Sequence, residues 1–286
     1  MVEQKPTVME LALAWEAKKK DEGCSPDHIN AIHYFKANYV EGIGDMAWDE
    51  LTPLAFREIR AAWGCSPNTA NRNLVFFKAL LNSAEEAELI ANNPIRKVKR
   101  LPKSKNVKYV PPREDLDKMY AVCKPERRAL FLAYRHTGAR KRELLRLKVE
   151  DVSLTADNPY LVLYTNKKRD RSRTPRQVPI TPDLAETLRP LVDKAEGEYV
   201  FTNGGGAPHK GLSRWLPALA RQAHVKPFQF HSMRHRFAHD MWERDAPIDD
   251  IQYVLGHEDQ KTTRIYLAQI TVRHGAVKYM YDAVGE

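Results

Sequence analysis

The chain has 286 residues, with 46 Lys or Arg against 37 Asp or Glu, a formal net charge of +9 and a pI near 9.3. That length suits two domains, and a composition of 43% hydrophobic and 29% charged residues excludes a disordered or coiled-coil chain. No run approaches the ~18 apolar residues of a membrane span, and Met1 to Thr7 lacks a basic-then-apolar leader. Cys24, Cys65 and Cys123 fit no CxxC spacing, which predicts free thiols in a cytoplasmic protein.

The charge is unevenly spread. Residues 1–93 hold 9 basic and 14 acidic side chains, residues 94–112 hold 7 basic and none acidic, and residues 113–286 hold 30 basic and 23 acidic. Clustered Lys and Arg at this pI point to a polyanion, most often nucleic acid. The first helix is announced by the capping box Thr7-Val8-Met9-Glu10, followed by Val8, Leu11, Ala12 and Trp15 at helical spacing. Ser25-Pro26 and Ser66-Pro67 each place an N-cap hydroxyl before a proline at the first helical position. After Ser66, Ala70, Leu74, Phe77 and Leu81 form an apolar stripe. Asn68, Asn71, Arg72 and Lys78 fall outside it, on a face that is either plain solvated surface or a binding surface.

Prolines then break the helical pattern in PIRKVKRLPKSKNVKYVPP, at Pro94, Pro102, Pro111 and Pro112. Its seven positive charges would repel one another unless solvated or laid on phosphates. The chain is thus expected to divide into a helical domain at 1–93, a basic linker at 94–112 and a second domain at 113–286. That second domain predicts helices near 113–123, 126–136 and 139–147, with a sharp Thr137-Gly138 turn before the last. Tyr160–Tyr164 (YLVLY) and Arg176–Ile180 (RQVPI) predict a hairpin around the basic segment NKKRDRSRTP. Thr181-Pro182 starts another helix and helices continue to the end, so the fold class is mainly α with a small antiparallel β-sheet.

Four segments of this domain gather Arg, His, Lys and Tyr: HTGARKRELLRL with Arg140 and Glu143, the hairpin with Lys167, HSMRH with His231 and Arg234 on one helix face, and LGHEDQKTTRIY with His257 and Tyr266. Two arginines can hold the non-bridging oxygens of a phosphodiester and stabilise the charge of a pentavalent transition state. A tyrosine can be the nucleophile, histidines can move its proton, and a lysine can protonate the leaving oxygen. Each residue taken alone is more commonly surface or core, and Glu143 is at most a structural partner that orients its neighbours. His231 and His235 at i and i+4 can suggest zinc, but Ser232 stands where HExxH needs Glu.

In order and spacing these segments resemble the tyrosine recombinase family, the phage-integrase and Xer-like site-specific recombinases. TGARKREL resembles the first-arginine segment, HSMRH the His-x-x-Arg box and YVLGHEDQKTTRIY the nucleophile segment. The resemblance covers about 113–270 through motifs and 1–105 more loosely. It implies a C-shaped clamp of a helical core-binding domain and a mixed α+β catalytic domain. It also implies Tyr266 as nucleophile, Arg140, Arg234 and His257 on the phosphate, His231 in proton transfer, and Lys167 as general acid with Lys168 as rival because the basic turn is long. No metal, ATP or other cofactor is expected. DNA contacts are expected from Arg72 and Lys78 on the first domain and from Arg96, Lys97, Lys99, Arg100, Lys103 and Lys105 in the linker. The −5 charge of residues 1–93 sits awkwardly with that role.

The implied reaction is site-specific recombination through a 3′-phosphotyrosyl bond and a Holliday junction. The implied partner is double-stranded DNA with inverted half-sites, bound by four protomers, with a directionality factor as a candidate accessory and no membrane. The first helix begins by about Thr7, which leaves no room for an arm-binding domain. The tail after Tyr266 docks either on a neighbour or on its own domain, and Tyr279 and Tyr281 lack the LGH context of a nucleophile. Alternatives are a type IB topoisomerase-like enzyme, a non-catalytic DNA-binding derivative and a metal-dependent nuclease, the last lacking an acidic cluster in the sequence.

Overall fold

Each N-cap hydroxyl read from the sequence is in use. Thr7, Ser25, Ser66 and Thr181 accept from the backbone N–H of Glu10, His28, Thr69 and Leu184, and the Glu10 carboxylate closes the box by accepting from Thr7 N at 2.8 Å. The computed structural model describes residues 5–102, 109–155, 157–166, 173–203, 207–209 and 212–267. It divides the chain into two units, Met1–Asn106 and Val107–Glu286.

The first unit holds α1 (Val8–Asp21), α2 (Pro26–Phe35), α3 (Pro53–Ala62) and α4 (Pro67–Glu86), with a π-helical turn, Lys36–Val40, continuing α2. Its core is aromatic. Trp15, Phe35, Phe56 and Phe77 are all buried, with Phe77 edge-on to Phe35 at 4.8 Å and to Phe56 at 5.2 Å, geometries that ring quadrupoles favour.

The basic stretch departs from the sequence expectation. Rather than leaving the domain at residue 94, its first part folds onto α4. Ile95 and Val98 enter the core of the first unit. Asn71, expected on a polar face, is buried; it donates to Leu101 O at 2.8 Å and accepts from Leu101 N at 2.7 Å. Lys78 donates to the carbonyls of Arg96 at 2.7 Å and Val98 at 2.8 Å, and burial together with the Arg100 charge lowers its pKa. A partly buried ammonium placed this way clips the chain to the helix and spends two of its three donors on those carbonyls. Arg96 pairs with Glu85. Lys97, Lys99 and Arg100 are exposed, and Arg72, also exposed, lies over the Phe76 ring at 5.6 Å. Lys103 and Lys105 lie outside the described residues.

The second unit contains α5 (Arg113–Ala121), α6 (Pro125–Thr137), α7 (Lys141–Leu145), β1 (Val152–Ser153), β2 (Tyr160–Asn166), β3 (Arg173–Pro179), α8 (Pro182–Asp193), α9 (Trp215–Gln222), α10 (Phe230–Trp242), α11 (Ile248–Leu255) and α12 (Gln260–Leu267). The strands form one antiparallel sheet in the order β1-β2-β3, with Leu161 opposite Val178 and Leu163 opposite Arg176. Leu161, Leu163, Val178 and Ile180 join the main core with Leu130, Phe131, Leu144 and Met233. Two helices end on a left-handed glycine, α6 at Gly138 (φ +58°) and α11 at Gly256 (φ +62°). Both also need the missing Cβ for space. One added at Gly138 would stand 2.3 Å from Phe237 Cδ1, and one at Gly256 would stand 2.9 Å from Arg176 Cζ. These two turns carry the motif residues into one place.

Candidate active site

α10 carries His231, His235 and His239 at four-residue steps, which puts them on one helix face. Tyr266 of α12 lies along that face. Its Oη is 3.0 Å from His231 Nε2, its ring stacks on His235 with centroids 3.8 Å apart, and its carbonyl oxygen is 3.1 Å from His239 Nε2. His257 closes another side, its ring centroid 4.9 Å from that of Tyr266. Tyr266 is only 5% exposed while His231 is exposed, so the tyrosine is gripped along its length with its hydroxyl at the wetter end. The three imidazoles are strung out along the tyrosine instead of converging. Among the described residues no group of three His, Cys, Asp or Glu side chains is placed to hold a metal.

Arg234, one turn after His231, is 1% exposed. Its Nη1 donates to Gly138 O at 2.8 Å and its Nη2 to Leu255 O, so it joins the ends of α6 and α11. Its buried Nε has no acceptor among the described residues. Burial and the nearby Arg140 charge lower its pKa to about 10, which still leaves it cationic at neutral pH. A cation held by neutral carbonyls keeps its charge available for an anion.

Arg140 caps α7. Its Nη1 donates to Glu143 Oε1 at 2.8 Å and its Nη2 to Gly256 O at 3.1 Å, while its side chain stays 40% exposed. His257 Nδ1 is 2.8 Å from the hydroxyl of the fully buried Thr263. Burial and the charges of Arg234 and Arg140 push the His257 pKa down to about 3. With Nδ1 engaged by Thr263, this neutral ring between cations has Nε2 left to offer. Beside Arg140 opens a cleft of about 660 Å³ whose walls include Arg142, Arg146, Tyr164 and His257.

Glu143 is buried beneath Arg140. Burial acts to raise its pKa, but hydrogen bonds and charge from Arg176, joined by Arg140, hold it at about 2. Arg176 escaped the sequence reading. It grips both oxygens of Glu143, through Nη2 to Oε2 at 2.7 Å and Nη1 to Oε1 at 3.2 Å. A signal for it exists, because strand alternation puts Arg176 on the same inward face as Val178 and Ile180, and an arginine on an apolar face requires a buried acceptor. Thr263 and His239 were missed as well. His239 completes the four-residue series begun by His231 and His235.

The structure thus brings together Tyr266, Arg140, Arg234, His231, His257 and Glu143 from three of the four sequence segments. Lys167 and Lys168 lie outside the described residues, as does the tail from residue 268 with Tyr279 and Tyr281. A tyrosine hydroxyl on an imidazole, two guanidiniums and a neutral histidine form an arrangement able to attack and stabilise a phosphodiester.

Comparison with known proteins gives the family and the fold. Residues 112–271 match the Phage integrase family. Over 265 residues the chain is 31% identical to the tyrosine recombinase XerA of Pyrococcus furiosus, covering 88% of this chain and 87% of that protein. Over 274 residues it is 26% identical to the integrase of Escherichia phage P2, covering 94% and 74%. Among solved structures, a lambda integrase dimer bound to a COC′ core site gives a TM-score of 0.75 at 17% identity, covering 93% of this chain and 79% of that one. The Tn1549 transposon integrase in complex with circular intermediate DNA gives 0.74 at 14% identity, covering 96% and 99%. The fold is mainly helical with a small antiparallel sheet, and the family match makes the chain a DNA strand transferase. The chain belongs to the phage integrase family, the tyrosine recombinases. No described helix is long and apolar enough to cross a membrane.

Proposed function

We propose that this chain is a site-specific recombinase that cuts and rejoins DNA through Tyr266. The observation that carries the reading is the Tyr266 Oη to His231 Nε2 approach of 3.0 Å beside a buried, carbonyl-held Arg234. With His231 Nε2 as acceptor, the phenolic proton passes to the imidazole as Oη attacks the scissile phosphorus. The bond from phosphorus to the 5′-oxygen breaks, leaving a 3′-phosphotyrosyl ester, and the 5′-oxygen takes a proton from Lys167 or Lys168. Arg140, Arg234 and His257 Nε2 stabilise the equatorial oxygens of the transition state. The ester conserves the energy of the broken bond, so a partner strand's 5′-hydroxyl can reverse the step without ATP, and the arginines supply the charge that a metal would otherwise bring. Two rounds of exchange then pass through a Holliday junction.

The partner in this reading is double-stranded DNA with inverted half-sites, engaged by four protomers on two sites in the cytoplasm, with a directionality factor as a candidate accessory. Relatives of the same fold support it. Lambda integrase is seen as a dimer on a core site, and XerH on palindromic difH in a post-cleavage complex. Lys97, Lys99, Arg100 and Arg72 are the exposed cations of the first unit proposed to meet the backbone. Residues 1–93 serve as the core-binding domain and 113–286 as the catalytic domain.

The test is a nicked suicide duplex incubated in EDTA. A covalent protein–DNA adduct is expected, and Tyr266→Phe is expected to reduce it to background. An adduct that persists in the Phe variant would remove Tyr266 as nucleophile, and one that forms only with added metal would remove the metal-free reading.

A further inference from the structure

We propose that Arg176 is a positioning residue that holds three separate active-site segments in register, fixing Glu143 as the carboxylate against which Arg140 is aimed. The proposal deepens the strand-cleavage reading above and rests on it. All three guanidinium nitrogens are engaged inside the protein. Nε donates to Val254 O at 3.0 Å, near the end of α11, and Nη2 to Glu143 Oε2 at 2.7 Å on α7. Nη1 donates to Thr165 Oγ1 at 2.6 Å on β2 and to Glu143 Oε1 at 3.2 Å. With its side chain only 6% exposed, Arg176 has no face left for a phosphate, so its influence on the reaction runs through the residues it touches.

Those residues are the supports of Arg140. Glu143 Oε1 accepts from Arg140 Nη1 at 2.8 Å, Oε2 accepts from Arg140 N at 2.9 Å, and Gly256 O accepts from Arg140 Nη2 at 3.1 Å. Arg176 locates both supports. It forks onto Glu143, and it occupies the space that a Cβ at Gly256 would need, 2.9 Å from Cζ and Nη1. The Thr165 hydroxyl, itself 3.0 Å from Glu143 Oε1, ties the hairpin strand to the same carboxylate. A planar guanidinium fixes such a network because its donors lie in one rigid fork, which an ammonium cannot reproduce. Misplacing a reacting residue by about 1 Å can cost on the order of 100-fold in rate.

The charges around Glu143 make the role measurable. It faces Arg140 from its own helix and Arg176 from β3, and its charge is also felt by Arg234 on α10 and Tyr134 on α6; neutral His257 feels both Arg140 and Arg176. With Arg176 neutralised, burial acts against a less supported carboxylate, and Glu143 takes up a proton at higher pH. Arg140 then loses its counter-ion as pH falls.

The experiment is single-turnover cleavage of the suicide duplex across about pH 5 to 9, with DNA affinity and thermal unfolding measured on the same proteins. Arg176→Gln is expected to slow cleavage roughly 10–100-fold with DNA affinity changed less than about twofold. It is also expected to gain an acid limb that the Arg176→Gln, Glu143→Gln double variant lacks. Arg176→Lys keeps the charge but not the fork, and is expected to show no acid limb yet remain roughly 10-fold slow.

Parental rate and pH profile in Arg176→Gln overturn the proposal. So does a loss matched by lost DNA affinity, and so does unfolding of both single variants, which would make Arg176 a folding residue only. Carboxyl-carbon NMR of Glu143 in the DNA-free chain stands apart from cleavage. If the parent forms no adduct, the cleavage reading fails. If Glu143 titrates at the same pH in the parent and Arg176→Gln, this proposal fails.

Discussion

Among the described residues each unit holds a buried glutamate near pKa 2, Glu16 in the first and Glu143 in the second, and the two are built differently. Glu16 in the first unit is met by Lys20 Nζ and His33 Nε2 at 2.6 and 2.7 Å and by Lys36. Burial acts to raise its pKa, and hydrogen bonds from Lys20, Lys36 and His33 bring it down to about 2. Those partners reach in from the surface on flexible stems, Lys20 being 52% and His33 49% exposed. Glu143 in the second unit is met by a guanidinium only 6% exposed, and it passes the resulting geometry on to Arg140. A carboxylate ringed by mobile ammonium groups is a local weld, whereas one clamped by a rigid fork can aim a third residue. The same charge environment therefore serves stability in one unit and orientation in the other.

The widest separation between the two units should come from Arg234→Ala. Removing a buried, preorganised donor from the phosphate site is expected to cost about 10²–10³-fold in cleavage rate, read as adduct formed per unit time at saturating DNA. A variant that cleaves within about tenfold of the parent would mean that the buried Arg234 charge is structural. Glu143→Gln comes next. It is expected to lower cleavage roughly 10–100-fold and, by breaking a buried ion pair, to cost the second unit about 3 kcal/mol. Thr263→Val should act more mildly. It removes the hydroxyl that holds His257 Nδ1 at 2.8 Å, and a loss of roughly tenfold is expected in cleavage with no change in DNA affinity. Unchanged cleavage would show that His257 holds its orientation without Thr263.

The pH dependence of folding gives the comparison a second axis. Both carboxylates have folded pKa values below the ordinary 4.5, so each contributes stability that is fully present above about pH 4.5 and is lost as pH falls toward 2. Thermal unfolding over that range should weaken both units together in the parent. In Glu16→Gln and Glu143→Gln the acid-sensitive part should disappear from one unit at a time.

What the sequence made legible follows from the range of the interactions. Thr7, Ser25, Ser66 and Thr181 announce helices because a cap acts over three residues, and the order of Arg140, His231, Arg234, His257 and Tyr266 is specific enough to point to the family. Arg176 and Thr263 were not read, because what they do depends on partners that only folding brings near: Glu143 stands 33 positions before Arg176. The basic stretch after Pro94 reads as a linker for a related reason. Proline ends a helix without saying where the chain goes next, and the pair Ile95 and Val98 that sends it back onto α4 is too short to register as a pattern.

The smallest effect in the series tests whether the first weld is only a weld. Glu16→Gln keeps one hydrogen-bond acceptor and leaves Lys20 and His33 free to turn into water. The cost to the first unit should therefore stay below that of Glu143→Gln, about 1–2 kcal/mol at neutral pH, because the partners are half exposed although the carboxylate is buried. Cleavage of the suicide duplex should stay at the parental rate, since Glu16 and its partners all belong to the first unit while Tyr266, Arg140 and Arg234 belong to the second. A cleavage defect in Glu16→Gln without loss of DNA affinity would break the division of labour between the two carboxylates, because a charge cluster in one unit would then be setting the chemistry of the other.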